Sequence, residues 1–375
     1  MAMGRVLLAM ALLAAAIIIF FTATPQGKAA FRAALFVPQI LEVPFKPQPW
    51  FTGTPVRHEV TYRRDTGTGL ADIYRIPDGK RRAAVLLFLG ANAAGRDDKD
   101  VINLGEALAR GGFVVMFHWS PTMALQHNID PAEIDNLVRA FQFLEKQEWV
   151  DPERVGIGGF CVGASFSLVA AADPRISGRV RFVNAFGPYF DARDLLLQVS
   201  TRSRLDRGER TPWQPDSLTL KVFANELIET LDDPAERDLL NKVYITGEQA
   251  DLSTLTPAGR TVSRLISGAS PEESVRLYDS LPKDFRDAMD RISPSKYVDE
   301  LQAELLILHD RDDRLVPAAE SRRLAAAMQE RGGVRYTELL SFEHVRPTSG
   351  TGIWEAINEG FKLYRHMYGV MRAGT

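Results

Sequence analysis

Short apolar runs recur along this chain, unbroken at Ala83–Leu89, Phe113–Phe117 and Leu305–Leu308, with further strand-like segments at Arg154–Gly158 and Val180–Ala185. A run without polar alternation is what a strand needs when both faces of its sheet are covered. Between the runs the apolar spacing changes to that of a helix. Val101, Leu104 and Leu108 make one stripe, and Ile134, Leu137, Val138, Phe141 and Leu144 make another. Asp130, Pro131 and Glu133 read as the cap, first position and capping box of that second helix. Upstream, His58–Tyr62 and Leu70–Tyr74 alternate like half-exposed strands around a turn containing glycine. Downstream, Ala318–Arg331 reads as a helix, Val334–Leu340 as a strand and Ile353–Met371 as a final amphipathic helix. Strands alternating with helices in this way predict an α/β fold, with a mainly parallel sheet carrying helices on both faces.

The chain of 375 residues, 45% of them hydrophobic, can bury the large core that such a sheet requires. A formal charge of −3 with interspersed signs leaves no footprint for nucleic acid. One cysteine excludes an intrachain disulfide. The six histidines show no ligand spacing, so no metal site is expected.

Val6–Phe21 carries no charged or polar side chain, follows Arg5 and ends before Pro25. The run is longer than a usual signal core and lacks a clear small-residue cleavage site, so residues 1–25 read as a single-pass N-terminal membrane anchor. Export after signal cleavage is the alternative. Residues 26–56, broken by Pro38, Pro44, Pro47 and Pro49, read as a proline-stiffened linker, with packing on the domain or on a membrane surface as alternatives. The α/β core then occupies 57–190 and 301–372. The intervening 191–300 breaks the rhythm. It shows no convincing buried strand, a helical stripe at Leu220, Phe223, Leu227 and Leu231, and cap-plus-proline pairs at Asp233-Pro234, Thr256-Pro257 and Ser270-Pro271. This segment reads as a helical cap or lid inserted over a site.

The chemistry-bearing motif is Gly159-Phe160-Cys161-Val162-Gly163, set between a strand and the helix-like Ala164–Ala172. That is the setting of a strained turn that lifts a nucleophile above a sheet, with cysteine where serine is usual. Asp313 and His344 follow two later strands, giving the chain order nucleophile, acid, base. Asp310 and Asp312 rival Asp313 within the same acidic loop. Asp191 is a more distant alternative. His118 and His309 read as structural, and Ser165 and Ser167 lie inside the helix after the turn.

These residues resemble the α/β-hydrolase superfamily, and the cysteine turn is similar to that of the dienelactone hydrolases, which use Cys, Asp and His. The resemblance covers about residues 58–190 and 300–371. His309–Pro317 matches the acid loop of that family and assigns Asp313, although Asp310 stands where glycine is usual. The cap and the N-terminal segment depart from the compact dienelactone hydrolases. The resemblance implies an α/β-hydrolase fold and a thioester acyl-enzyme on Cys161, with His344 as base and Asp313 fixing its tautomer. A thiol at a helix N-terminus beside a histidine is set up to react as the thiolate. The oxyanion would be held by the backbone N–H of Val162 and by that of Ala91 or Asn92. The expected activity is hydrolysis of a small-molecule or lipid-like carboxylic ester, thioester or lactone at a membrane, without a cofactor. Acyl transfer with the same triad, or an inactive binding module on the same fold, are the alternatives.

Overall fold

The computed structural model describes residues 2–41, 43–65, 67–91, 94–340, 342–343, 346–347 and 353–374. The chain opens with helices α1 (Ala2–Ala23) and α2 (Pro25–Ile40) and a single turn, α3 (Gln48–Phe51). A hairpin of β1 (Val56–Arg63) and β2 (Thr68–Arg75) follows. Then come β3 (Arg82–Phe88), α4 (Lys99–Arg110), β4 (Phe113–Trp119), α5 (Glu133–Leu144), β5 (Val150–Phe160), α6 (Val162–Ala172) and β6 (Val180–Phe186).

An insertion leaves the sheet after β6. It contains α7 (Ala192–Thr201), a small hairpin of β7 (Ser203–Asp206) and β8 (Glu209–Pro212), and helices α8 (Ser217–Ile228), α9 (Pro234–Asn241), α10 (Pro257–Ser267), α11 (Pro271–Asp279) and α12 (Lys283–Arg291). The core resumes with β9 (Glu304–Asp310), α13 (Ala318–Gln329), β10 (Val334–Leu339) and α14 (Ile353–Ala373).

The sheet runs β1-β2-β4-β3-β5-β6-β9-β10. Pairing is antiparallel from β1 to β2 and from β2 to β4, and parallel across every later neighbour. β3 and β4 are buried almost throughout, as their unbroken apolar runs require, and β5 is buried from Val155 to Gly159. One face is covered by α5, α6 and α13, through Leu137, Phe141, Phe166 and Leu324. The other is covered by α4 and α14, through Leu108, Leu363, Met367 and Met371, together with α2.

One expectation changes at the N-terminus. Among the described residues no helix is long and apolar enough to cross a membrane, which overturns the single-pass anchor. Instead of continuing as one apolar rod, the chain stops α1 at Ala23, and Thr24 caps a new helix by accepting the Gly27 N–H at 3.0 Å. Of residues 26–56, read as a proline-stiffened linker or as packed on the domain, 26–40 belong to α2. Pro25 fits its first turn, and Ala29, Ala33, Phe36 and Val37 recur at helical spacing and are buried against the sheet layer. Pro38 is tolerated because it falls in the last turn.

The cap helices start where the sequence places them. Asp233, Thr256 and Ser270 each accept a backbone N–H at the head of α9, α10 and α11, and Ser270 forms a full capping box with Glu273. The capping box expected at α5 does not form. Asp130 accepts the Ala132 N–H, but Glu133 turns inward to His118 at 2.6 Å.

Candidate active site

Cys161 follows β5 and immediately precedes α6, with φ 52° and ψ −125°. A side-chain-bearing residue in that region is strained by about 1–3 kcal/mol and persists only when its surroundings enforce it. Here they do. The Cys161 N–H donates to the Phe186 carbonyl of the neighbouring strand at 2.8 Å. The flanking glycines are required by close backbone approach. A Cβ on Gly159 would stand 2.5 Å from the carbonyl oxygens of Phe88 and Gly163, and one on Gly163 would stand 2.7 Å from the Gly90 nitrogen. Gly90, at φ 66°, is drawn against the Gly163 nitrogen in the same way. The loop after β3 is thereby pressed onto the start of α6.

This contact sets the surroundings of the thiol. Val162, as first residue of α6, has an N–H with no intrahelical acceptor. Ala91, from the loop after β3, is buried and lines the same cavity as Val162 and Cys161. Asn92, the other expected oxyanion donor, lies outside the described residues. Cys161 itself is a free, half-buried thiol.

Asp313 stands in the loop after β9 and is buried. Its Oδ1 accepts the N–H groups of Leu315 at 2.6 Å and Val316 at 3.1 Å. Its Oδ2 lies 3.5 Å from His309 Nε2, and its carbonyl accepts the indole N–H of Trp213 from the cap at 3.1 Å. Asp312, its neighbour, is exposed, while Asp310 ends β9 and accepts the Asp312 N–H. His344, the expected base, lies outside the described residues.

The remaining candidates have other employment. His118 is buried between Tyr62 Oη at 2.7 Å and Glu133. His309 bridges Ser321 Oγ and the Val316 carbonyl. Ser165 and Ser167 are buried, with their hydroxyls on the carbonyls of Tyr189, Gly158 and Gly163. Asp191 caps α7 and accepts the Ser295 hydroxyl at 2.6 Å. Among the described residues no cluster of His, Cys, Asp and Glu could hold a metal ion.

A cavity of about 290 Å³ opens over Cys161. Its floor comes from the carboxyl ends of parallel strands, through Leu89, Phe160 and Tyr189, which is where ligands bind in sheets of this kind. Its roof comes from the cap, through Leu196, Phe223 and Met289. Among the described residues the walls are mostly apolar, with one charged exception, Glu226 on α8. Burial pushes the Glu226 carboxyl up to about 7, with Glu229 and Asp130 adding to the effect and the Ile129 N–H opposing it. Sequence reading passed over Glu226, although it sits beside Leu227 on the apolar stripe that marks α8.

A six-strand parallel sheet with an antiparallel edge, helices on both faces and a cysteine turn after the central β5 leave little choice of architecture. The chain has the α/β-hydrolase fold. Among solved structures it is similar to Porphyromonas gingivalis dipeptidyl peptidase 4, at 13% identity, 86% of this chain, 36% of that one and a TM-score of 0.51. It is also similar to a thermophilic carboxylesterase cloned from a metagenomic library, at 15% identity, 94% of this chain, 98% of that one and a TM-score of 0.49. Pyrococcus horikoshii acylaminoacyl peptidase aligns at 12% identity over 85% of this chain and 41% of that one, with a TM-score of 0.48. The chain spans about two fifths of the length of the first of these matches, the acylaminoacyl peptidases. At such identities the likeness concerns the hydrolase fold alone. No family model and no curated protein matches the chain.

Proposed function

We propose that this protein hydrolyses a carboxylic ester, thioester or lactone through Cys161, in the manner of the dienelactone hydrolase-like enzymes its turn resembles. The observation that carries the reading is the enforced backbone at Cys161. A strained thiol is held at the head of a helix, at the mouth of a capped apolar cavity, by glycines that tolerate no side chain. Nothing in packing alone asks for that strain, whereas a nucleophile lifted above the sheet does.

In the proposed reaction Cys161 Sγ forms a bond to the acyl carbon while its proton passes to His344. The carbonyl oxygen takes the negative charge and is met by the N–H groups of Val162 and Ala91. Collapse breaks the bond to the leaving alcohol, which takes the proton from His344 and departs. Water then adds to the thioester, its proton going to the same base, and the free acid leaves as the thiol re-forms. Asp313 would orient the imidazole, a role for which its buried carboxylate, pinned by two backbone N–H groups, supplies a fixed acceptor.

The cavity stands at the small end of ligand pockets, which run about 300–1,000 Å³, so it suits one short or medium acyl chain. Nitrophenyl esters of graded acyl length test the proposal. The wild type should hydrolyse them, Cys161→Ala and His344→Ala should reduce kcat/KM by about a thousandfold or more, and a thiol-directed acylating agent should add mass at Cys161. Unchanged turnover in Cys161→Ala overturns the assignment.

A further inference from the structure

Among the described residues Glu226 is the one charged side chain on the cavity wall, in a lining that also holds Cys161 and is otherwise mostly apolar. Its Oε1 accepts the Ile129 N–H at 2.5 Å. Its Oε2 has no hydrogen-bond partner, and the carboxyl has no ion-pair partner, among the described residues. Among the described residues the charged and titratable groups around it are Glu229 on its own helix, Asp130 and His127 on the loop beside it, and Tyr189 and Cys161 on the floor. None of these is a lysine or an arginine. Tyr189 is itself committed, donating to the Ile292 carbonyl at 2.9 Å.

A carboxylate in such a place is costly unless something positive or donating meets it. A cap that needed only an apolar lining would carry an apolar side chain there, as Leu218, Val222 and Phe223 of the same helix do. We infer that Glu226 is a specificity-determining residue that receives a protonated amine on the bound substrate, so that the preferred acyl group carries an ammonium at its far end. The inference rests on the hydrolase reading for the identity of the cavity as an acyl site, but the binding preference can be measured without turnover. Pairing with an ammonium would replace lost hydration with a charge-assisted hydrogen bond. The apolar walls would take the methylene chain between.

The experiment has a binding arm and a turnover arm, both on the full chain. In the first, calorimetry compares straight-chain alkylammonium ions with alkanols of the same length. Wild type should bind the ammonium about tenfold or more tightly at pH 8. Glu226→Gln keeps an amide oxygen for the Ile129 N–H while removing the charge, and should erase that ratio. The ratio should also fall in wild type as pH drops below 7, because the carboxyl gains its proton there. In the second arm, nitrophenyl esters of ω-amino acids from aminobutanoic to aminooctanoic are compared with the isosteric alkanoates, whose terminal methyl replaces the ammonium. The kcat/KM ratio should favour the amine for at least one length and should collapse in Glu226→Gln. Preference for the neutral ligand, or an ammonium preference that survives Glu226→Gln, overturns the inference. Ammonium-selective binding with no ester turnover would sustain the inference about Glu226 and remove the hydrolase reading instead.

Discussion

At Cys161 a single residue shows how much of the site is backbone geometry. The motif itself was legible because its spacing of glycines has a steric cause: Gly159 and Gly163 approach carbonyl and amide atoms of the loop after β3 more closely than any Cβ permits. The loop pattern assigns Asp313 over Asp312, and the structure buries Asp313 while leaving Asp312 exposed. Glu226 was not, because a glutamate on a helical stripe reads as an ordinary solvated charge until the cavity is seen. Glu133 misled for a related reason. Its capping spacing is genuine, but the buried His118 offers it a stronger partner than a free N–H at a helix end. The glycine argument gives a sharp prediction. Gly163→Ala forces its methyl onto the Phe88 carbonyl and the Gly90 nitrogen, neither of which is a flexible end. It should cost about 3 kcal/mol, read as a lower urea midpoint at constant m. It should also depress any Cys161-dependent turnover, because it pries Ala91 from Val162. Gly178, around which a Cβ would meet nothing within 4 Å, is the control, and Gly178→Ala should stay within about 0.5 kcal/mol.

Among the elements, the cap is attached to the core at specific points. Its helices were legible from their N-caps, since an Asp, Thr or Ser before proline satisfies the end of a helix by local chemistry alone. The exposed β7–β8 hairpin left no apolar signature and went unseen. How the cap is tied down also could not be read, because the knot is long-range. Glu320 on α13 is fully buried, and its Oε2 accepts the N–H groups of Phe190 at 3.0 Å and Asp191 at 3.1 Å, where the insertion begins. Its Oε1 takes Gln198 of α7 and Arg323, each at 2.9 Å. The returning strand is stitched to the same place, with the Ser295 N–H on the Phe190 carbonyl and the Ala192 N–H on Ser293 Oγ. Glu320→Ala strands several buried donors at once and should destabilise the protein by roughly 2–4 kcal/mol. The pH dependence has a definite sign. Burial raises the Glu320 carboxyl above its ordinary value of 4.5, outweighing Arg323 and the N–H donors. The stability it contributes is therefore complete below about 4.5 and is lost as pH rises through the higher folded value. Urea titrations at successive pH values should show wild type losing ground to Glu320→Gln across that rise. A constant difference between the two would place the carboxyl's ionisation outside the cap's energetics.

For the molecule as a whole, a mainly parallel sheet and its two helical layers were legible because periodicity reports burial, and burial is what the layers consist of; the order of the strands was not, because periodicity does not say which strands pair. In residues 26–56 periodicity does not report the partner. The same spacing of Ala29, Ala33, Phe36 and Val37 serves a linker helix or a docked one, and only the α14 surface decides. That surface also carries the chain's clearest acid sensitivity. His366 on α14 is buried against the sheet, where its Nε2–H donates to Asn184 Oδ1 of β6 at 2.9 Å. Its Nδ1 is buried with no hydrogen-bond partner among the described residues. Burial, with Arg335 adding a like charge, lowers the imidazole to about 3 from 6.5. Because the folded value is depressed, the contribution is complete above 6.5 and is lost as pH falls from there towards 3. Each pH unit in that window is worth about 1.4 kcal/mol. Between pH 6.5 and 4.5 this one histidine should therefore cost roughly 2–3 kcal/mol of global stability. His366→Leu removes the proton site and the bond to Asn184 together. At pH 7.5 it should be the less stable protein by about 1 kcal/mol, and by pH 4.5 the more stable, so that the two stability curves cross. Parallel curves would mean that acid unfolding starts elsewhere and that the α14 layer stays docked on the sheet while it does.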